Sequence, residues 1–318
     1  MSMDLSYTEI TQKPIPHPYY KESRLLLEKR SICTPKVSVV VPVFNKARII
    51  SKVLYSLTNS LRESFELILI DDGSVDASID AMKSFLSTSS GFDYVLIANS
   101  ESIYETACDN IGFYFSRGEY LLEIQSDMYI NDPGFDLRMI EALNFSSIGT
   151  VSGRCGHSWF DLFGKKQKLW SLIRHPGFSK IYLLKTELTV VGLEGALIFK
   201  GISNTAVHDG DIFVSDTNNR GPWMIQRKVF FENDGFNSEK FFLGDDEHEL
   251  NCRLKEKGYK AAYTPVKVHS VANEGSTRIP RSGLNLKIYD YLKNTKLGSI
   301  DLRQHLMNIK PSFPKKIL

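Results

Sequence analysis

Apolar residues in the first 130 positions follow two alternating rhythms. Val37-Ser38-Val39-Val40-Val41-Pro42 is a short β-branched run, the pattern of a strand buried on both faces of a parallel sheet. After the turn Val43-Phe44-Asn45, residues Ile50, Val53, Leu54, Leu57 and Leu61 recur at helical spacing. A second run, Phe65–Ile70, ends in Asp71-Asp72-Gly73-Ser74; Ile79, Met82 and Phe85 then mark a helix capped by Ser74 or Asp76. A third strand, Tyr94–Ala98, leads to a helix over about Tyr104–Phe115. A fourth strand opens at Tyr120 and runs through Leu121, Leu122 and Ile124 to the acid Asp127, with Asn131-Asp132-Pro133-Gly134 closing the segment. The order β-α-β-α-β-α-β predicts a parallel sheet with right-handed crossovers.

The second half is less regular. A helix is expected over Phe135–Leu143 and strands at Ile148–Ser152, Ile181–Leu184 and Ala196–Lys200. Gly221-Pro222-Trp223 starts a segment leading into Phe230–Phe236. Gly244-Asp245-Asp246-Glu247-His248-Glu249 opens a helix with Leu250 and Leu254 inward; Gly258 ends it, and Lys260–Tyr263 returns as a strand. Acids in a first helical turn are often dipole partners, but four in five successive positions exceed that need. Residues 1–36 read as a polar extension with Pro14, Pro16, Pro18 and Pro35 and one helix over Glu22–Lys29. The expected division is therefore 1–36, a main domain over 37–280 made of two halves that meet near residue 130, and a tail over 281–318.

Composition narrows the class. The 318 residues suffice for a full core, and 42% hydrophobic with 24% charged residues is ordinary for a soluble protein. No apolar run approaches the roughly 20 residues that span a bilayer, and the first residues lack the apolar core of a signal peptide. Cys33, Cys108, Cys155 and Cys252 form no CxxC pair, which points to a reducing compartment. A cytoplasmic protein is expected. Net charge is +2, yet residues 280–318 carry eight Lys or Arg against Asp290 and Asp301. With Leu284, Ile288, Tyr291 and Leu292 at helical spacing, this tail reads as a basic amphipathic helix. Packing on its own domain is the ordinary use of such a helix; peripheral contact with anionic lipid headgroups is the alternative. No nucleic-acid motif or stacking platform appears.

Motifs exclude several functions. No GxGxxG follows Val37–Val41, and neither GxxxxGK[ST] nor GxSxG occurs, so dinucleotide, P-loop and α/β-hydrolase chemistry are not indicated. Ligands of open α/β sheets bind beyond the carboxyl ends of the strands. Asp71, Asp72 and Asp127 fall there, although an isolated Asp is more often a turn or cap residue.

Together these segments resemble the family 2 glycosyltransferases, nucleotide-sugar enzymes of the GT-A fold, from Val37 to about Arg278. The likeness rests on Val37–Asn45 as the opening strand and nucleotide loop; Leu69–Ser74 as "vDDgS"; Ala107–Gly112 with Arg117–Tyr120 as "ARNxG…rGeY"; Gln125-Ser126-Asp127 at the metal-binding DxD; and Asp245–Leu250 with Arg253 as "GeDxDL…R". The resemblance implies an α/β GT-A fold: a Rossmann-like, mostly parallel sheet flanked by helices, with a mixed acceptor half and a C-terminal helical tail. It implies a nucleotide-sugar donor, UDP-sugar by the commonest family usage, and a glycan hydroxyl as acceptor. Pro42, Val43, Phe44, Asn45, Asp71 and Asp72 would line the nucleotide pocket, together with Gln125, Ser126 and Asp127. Asp127 would hold Mn²⁺ or Mg²⁺ on the diphosphate, and His269 lies where some relatives place a further ligand; a lone His is more often structural. Aligning on Arg253 puts Glu247 at the general-base position, with Asp246 as the neighbour that could take the role. Direct displacement at such a base inverts the anomeric centre.

The chain departs from the pattern at Gln125, in place of the first Asp of DxD, at Asp109, where the family has Arg, and at Glu247, one methylene longer than Asp. Arg154 and Arg220, in Gly-supported polar turns, are candidates for diphosphate or sugar contacts or for structural ion pairs. Two other functions stay open: a non-catalytic binding module on the same fold, and a nucleotidyltransferase, although Val43–Lys46 lacks the Gly-rich basic loop that the latter needs.

Overall fold

A computed structural model describes residues 23–30, 34–153, 210–215, 218, 220–241, 246–264, 266–270 and 315–316. The expected strands at Ile181–Leu184 and Ala196–Lys200, the turn around Arg154 and most of the basic tail lie outside these residues.

In chain order the first elements are β1 (Ser23–Lys29), β2 (Val37–Val43), α1 (Ile50–Ser60), β3 (Phe65–Asp71), α2 (Ser78–Thr88), β4 (Asp93–Asn99), α3 (Glu105–Phe115) and β5 (Tyr120–Glu123). There follow β6 (Met128–Ile130), α4 (Phe135–Leu143), β7 (Ile148–Ser152), β8 (Phe213–Ser215), β9 (Trp223–Gln226) and α5 (Arg227–Phe231). The last are α6 (Asp246–Glu256), β10 (Lys260–Tyr263), β11 (Val268–Ser270) and β12 (Lys315–Lys316). The main sheet has ten strands in the order β1-β4-β3-β2-β5-β9-β7-β10-β8-β12, and β6 pairs with β11 in a small second sheet. As the β-α alternation demands, β4, β3, β2 and β5 run parallel. β9 then enters antiparallel between β5 and β7, and β10 is parallel to β7. This is a mixed α/β fold with an open, mainly parallel sheet.

Three sequence expectations are corrected. Glu22–Lys29 is not a helix: Ser23–Lys29 is β1, antiparallel to β4 from Ser23 opposite Asn99 to Lys29 opposite Tyr94. Leu, Arg, Glu and Lys all favour helix, but an uncovered β4 would leave its backbone edge unpaired, and that tertiary demand wins. The fourth strand stops at Glu123, so Ile124–Asp127 is a turn rather than its end. Neither Ser74 nor Asp76 is the N-cap of α2, which is Ala77 without a side-chain cap. Instead, Ser74 Oγ accepts the Asn45 N–H at 2.9 Å, and Asp76 Oδ1 accepts the Ser78 N–H at 3.0 Å. Of the expected tail helix, only Lys315–Lys316 is described, as a short strand on β8.

Each face of the sheet buries one core. Val37, Val39, Val41, Leu67 and Leu69 face Leu54 and Leu57 of α1, Met82 and Phe85 of α2, and Met139 of α4. Val40, Ile68, Ile70 and Leu121 face Ile111 and Phe113 of α3, Phe230 and Phe236, and Leu250 and Leu254 of α6. Gly112 lets α3 lie directly on the sheet, since a Cβ there would run into Val40 and Ile70. The polar residue of the opening run, Ser38, works at the amino ends of the strands. It donates to Glu66 Oε1 at 2.6 Å and accepts from the Gly118 N–H at 2.8 Å, while Arg117 bridges Glu66 and Asp93. An open groove of about 1060 Å³ at that end is lined by residues such as Lys36, Glu119, Arg227 and Phe231. Among the described residues no helix is long and apolar enough to cross a membrane.

Candidate active site

The opposite, carboxyl edge of the parallel strands gathers most of the residues singled out from the sequence. Pro42 and Val43 end β2 buried, and Phe44 and Asn45 follow half-buried in the turn. Asn45, at φ 52°, donates its N–H to Ser74 Oγ and accepts the Val75 N–H on Oδ1 at 2.9 Å, so the turns after β2 and β3 are stitched together. Asp71 closes β3 fully buried: Oδ2 accepts the Ser74 N–H at 3.0 Å, while Oδ1 is buried without a hydrogen bond. Burial pushes its carboxyl above the usual range, with hydrogen bonds from Ser74 pulling the other way.

Asp72, beside it, is fully engaged. Its carboxylate accepts from Asn99 Nδ2 (3.1 Å), Ser102 Oγ (2.6 Å), the Ile103 N–H (2.7 Å) and the Tyr104 N–H (3.0 Å). It therefore fastens the loop from β4 to α3. That loop sits against Gly73, where a Cβ would come within 2.9 Å of the Glu101 and Ser102 backbone. It also holds Tyr104 at φ 72°, ψ 166°, a conformation otherwise left to glycine. Strain of this kind persists only where the surroundings dictate it, and here Asp72 dictates it.

Beyond β5, Gln125 spends its Nε2 on Glu105 Oε1 at 2.9 Å. A turn closed by the Met128 N–H on Gln125 O leaves Ser126 buried and Asp127 half-buried. β11 then brings position 269 opposite Tyr129, two residues from Asp127. Among the described residues no three Asp, Glu, His or Cys side chains group as a metal site. A divalent cation here would take Asp127 from the protein and its other oxygens from a diphosphate and water, a set that suits Mg²⁺, which keeps several waters.

A dense cluster of charge lies between α3, β5 and α6. Arg220 is 4% exposed, and its guanidinium meets carboxylates on three elements. Nη1 contacts Asp109 of α3, and Nε and Nη2 meet the two oxygens of Asp246 at the head of α6. Glu105 (3.7 Å), Glu247 (3.8 Å) and Glu123 (4.0 Å) complete the ring, and the Phe236 ring lies 4.7 Å away. Burial pushes Asp109 up to about 7, with Arg220 pulling it down and Glu105 and Glu247 adding to the rise. Glu123 is driven well above the usual carboxylate range by its burial, against the pull of Arg220. Burial opposes the charge on Arg220, but Asp109, Glu105 and Glu123 outweigh it and raise its pKa. Five acids around one cation cannot all ionise cheaply in such a place.

The structure thus brings Asp246 and Glu247 to one cluster with different environments. Asp246 has both oxygens against Arg220. Glu247 is 6% exposed; its Oε2 makes no hydrogen bond, and Oε1 is 3.7 Å from His248 Nε2. Arg253, the last residue of the acidic-helix motif, is structural: it grips Glu249 at 2.7 Å and the carbonyls of Asn233 and Gly235. Asn110 likewise pairs with the backbone of Phe236, the residue beneath Arg220. Sequence reasoning missed Glu123 and Glu105. Glu123 had a signal, since on β5 it shares a face with Leu121 and is a charge inside an apolar run. Glu105 had none beyond its place in a first helical turn.

A doubly covered parallel sheet with acids at its carboxyl edge is the layout of the GT-A glycosyltransferases. Solved structures agree on the fold: a mannosyltransferase, PcManGT of Pyrobaculum calidifontis, in complex with GDP-Man and Mn²⁺ (TM-score 0.52, 15% identity, 85% of this chain and 65% of that one); and GalNAc-T7 with UDP, GalNAc and Mn²⁺ (TM-score 0.53, 13% identity, 76% of this chain and 44% of that one). The chain belongs to glycosyl transferase family 2, whose family model matches residues 38–205. Curated relatives include a poly(ribitol-phosphate) beta-glucosyltransferase of Bacillus spizizenii, 34% identical over 115 residues, which are 35% of this chain and 17% of that protein. Another is the undecaprenyl-phosphate 4-deoxy-4-formamido-L-arabinose transferase of Aeromonas hydrophila, 29% identical over 129 residues, 39% of each chain. The aligned stretches span well under two thirds of these relatives.

Proposed function

We propose that the chain is an inverting glycosyltransferase that moves a sugar from a nucleotide-sugar donor, a UDP-sugar in our reading, to a hydroxyl of a glycan. The observation that carries it is the unbonded, buried Oε2 of Glu247 beside an Asp246 committed to Arg220. The nucleobase or ribose would donate to Asp71 Oδ1, with Pro42, Val43, Phe44 and Asn45 forming the rest of the pocket. The acceptor hydroxyl gives its proton to Glu247 as its oxygen attacks the anomeric carbon opposite the diphosphate. The new glycosidic bond forms as the bond to the diphosphate breaks, which inverts the centre. A Mn²⁺ or Mg²⁺ held through Asp127, with His269 as a candidate second ligand, would act as Lewis acid toward the leaving group. The basic tail would give the protein peripheral contact with a membrane surface.

The competing reading is a nucleotide-binding module without turnover. It is favoured by Gln125, whose amide is spent on Glu105 where the family has a carboxylate. The two separate in one experiment: nucleoside diphosphate release by the full chain from UDP-, GDP-, dTDP- and CDP-sugars with Mn²⁺ or Mg²⁺. Turnover with one donor is expected. Glu247→Gln should lower kcat by about 10²- to 10⁴-fold, and Asp127→Ala should remove the response to metal. Release from no donor, with nucleotide binding indifferent to Mn²⁺, selects the binding module.

A further inference from the structure

We infer that Arg220 is a positioning residue, which fixes the head of α6 against α3 so that Glu247 presents a carboxylate to the acceptor; this rests on Glu247 as the base. Three observations carry it. The guanidinium is a two-ended clamp. One end meets Asp109, one turn into α3, and the other meets both oxygens of Asp246, adjacent to Glu247. It makes no hydrogen bond to Glu247 itself, which lies 3.8 Å from Nε, so the acid is held through its neighbour.

Second, Arg220 is anchored from behind. Asn218, two residues earlier, is buried and donates to Thr150 Oγ1 at 3.1 Å and to the Ala262 carbonyl at 2.9 Å. Its own oxygen accepts from Trp223 Nε1 and Asn251 Nδ2, both at 3.0 Å. Thus Asn251 of α6, Thr150 of β7, Ala262 of β10 and Trp223 of β9 all meet the segment that carries Arg220. Phe236 covers the guanidinium at 4.7 Å and is itself held by Asn110 of α3.

Third, the charge only makes sense with the clamp present. Glu123 is fully buried with both oxygens unbonded, and Arg220 is the cation facing it, 4.0 Å away. A planar guanidinium can serve Asp109 and both oxygens of Asp246 at once, and a lysine ammonium cannot.

Arg220→Met leaves the buried acids without a cation and can fail to fold, so Arg220→Lys is the informative variant, in the full chain with the donor found by the release assay. Its kcat should fall about 10²-fold, the scale of a misplacement near 1 Å, while Kd for the matching nucleoside diphosphate with Mn²⁺ stays within threefold. If Arg220 acts through Glu247, the kcat losses of Arg220→Lys and Glu247→Asp should not multiply in the double variant. Unchanged kcat in Arg220→Lys, a matching loss of nucleotide affinity, or losses that multiply in the double variant each overturn the inference and leave Glu247 as base. Normal turnover in Glu247→Gln removes the base reading, and the inference with it.

Discussion

At the scale of residues, neighbouring acids have been given different work by their surroundings. Asp71 and Asp72 are adjacent, yet one keeps a buried oxygen without a donor and the other accepts four. Asp71→Asn should therefore weaken nucleotide binding about tenfold in a titration, the scale of a lost charge-assisted hydrogen bond. It should not lower stability at neutral pH, since burial already disfavours its charge. Asp72→Asn should destabilise by about 1–3 kcal/mol in urea unfolding, because one of its oxygens becomes a donor facing donors. Asp109 gives a pH signature. Its folded pKa near 7 lies above its ordinary 3.8, so the folded state keeps a proton that the unfolded state has lost. Its stabilising contribution is whole below about pH 4 and is lost as pH rises to about 7, by at most about 1.4 kcal/mol per pH unit. Unfolding free energies at pH 5, 6, 7 and 8 should show a shallower fall in Asp109→Asn; parallel curves would refute the assignment. The DDGS turn and the acid-rich helix were legible in the sequence. What was not legible was which acid is engaged, because that depends on partners as distant as Arg220 is from Asp109.

At the scale of elements, the sequence pattern placed β2, β3 and β4 and helices α1, α3 and α4 almost at their observed bounds, and the body of α2 without its cap. Each of these buries a face whose period fixes its type. β1 was misread because its residues favour helix and its pairing with β4 is not a local property. The end of β5 was misread because Ile124 continues the apolar run after β9 has stopped pairing at Glu123. Glycines mark where elements touch. Gly112→Ala should cost about 1–3 kcal/mol, the usual penalty for overfilling a packed core, because β-branched Val40 and its neighbour Ile70 cannot both yield. A fall in the urea midpoint with an unchanged slope would register it; an unchanged midpoint would mean that α3 lifts off the sheet freely.

At the scale of the whole molecule, alternation alone announced the parallel half of the sheet, whereas the antiparallel seam gave no periodic signal. β9 is four residues long and pairs β5 to β7, elements encoded far earlier in the chain. That seam has a consequence for synthesis on the ribosome. About one hundred residues separate Glu123 from its partner Trp223. At roughly 5–20 residues per second, β5 waits about 5–20 s with one edge open after it emerges. During that interval the nascent chain shows a hydrophobic strand edge, the feature that recruits chaperones or a second nascent copy. A chain stalled with Ser152 just outside the exit tunnel should accordingly bind holdase chaperones and sediment as aggregate on release, whereas one stalled with residue 226 outside the tunnel should do so far less. The arrival of β9 thus sets how long the open edge of β5 must be protected.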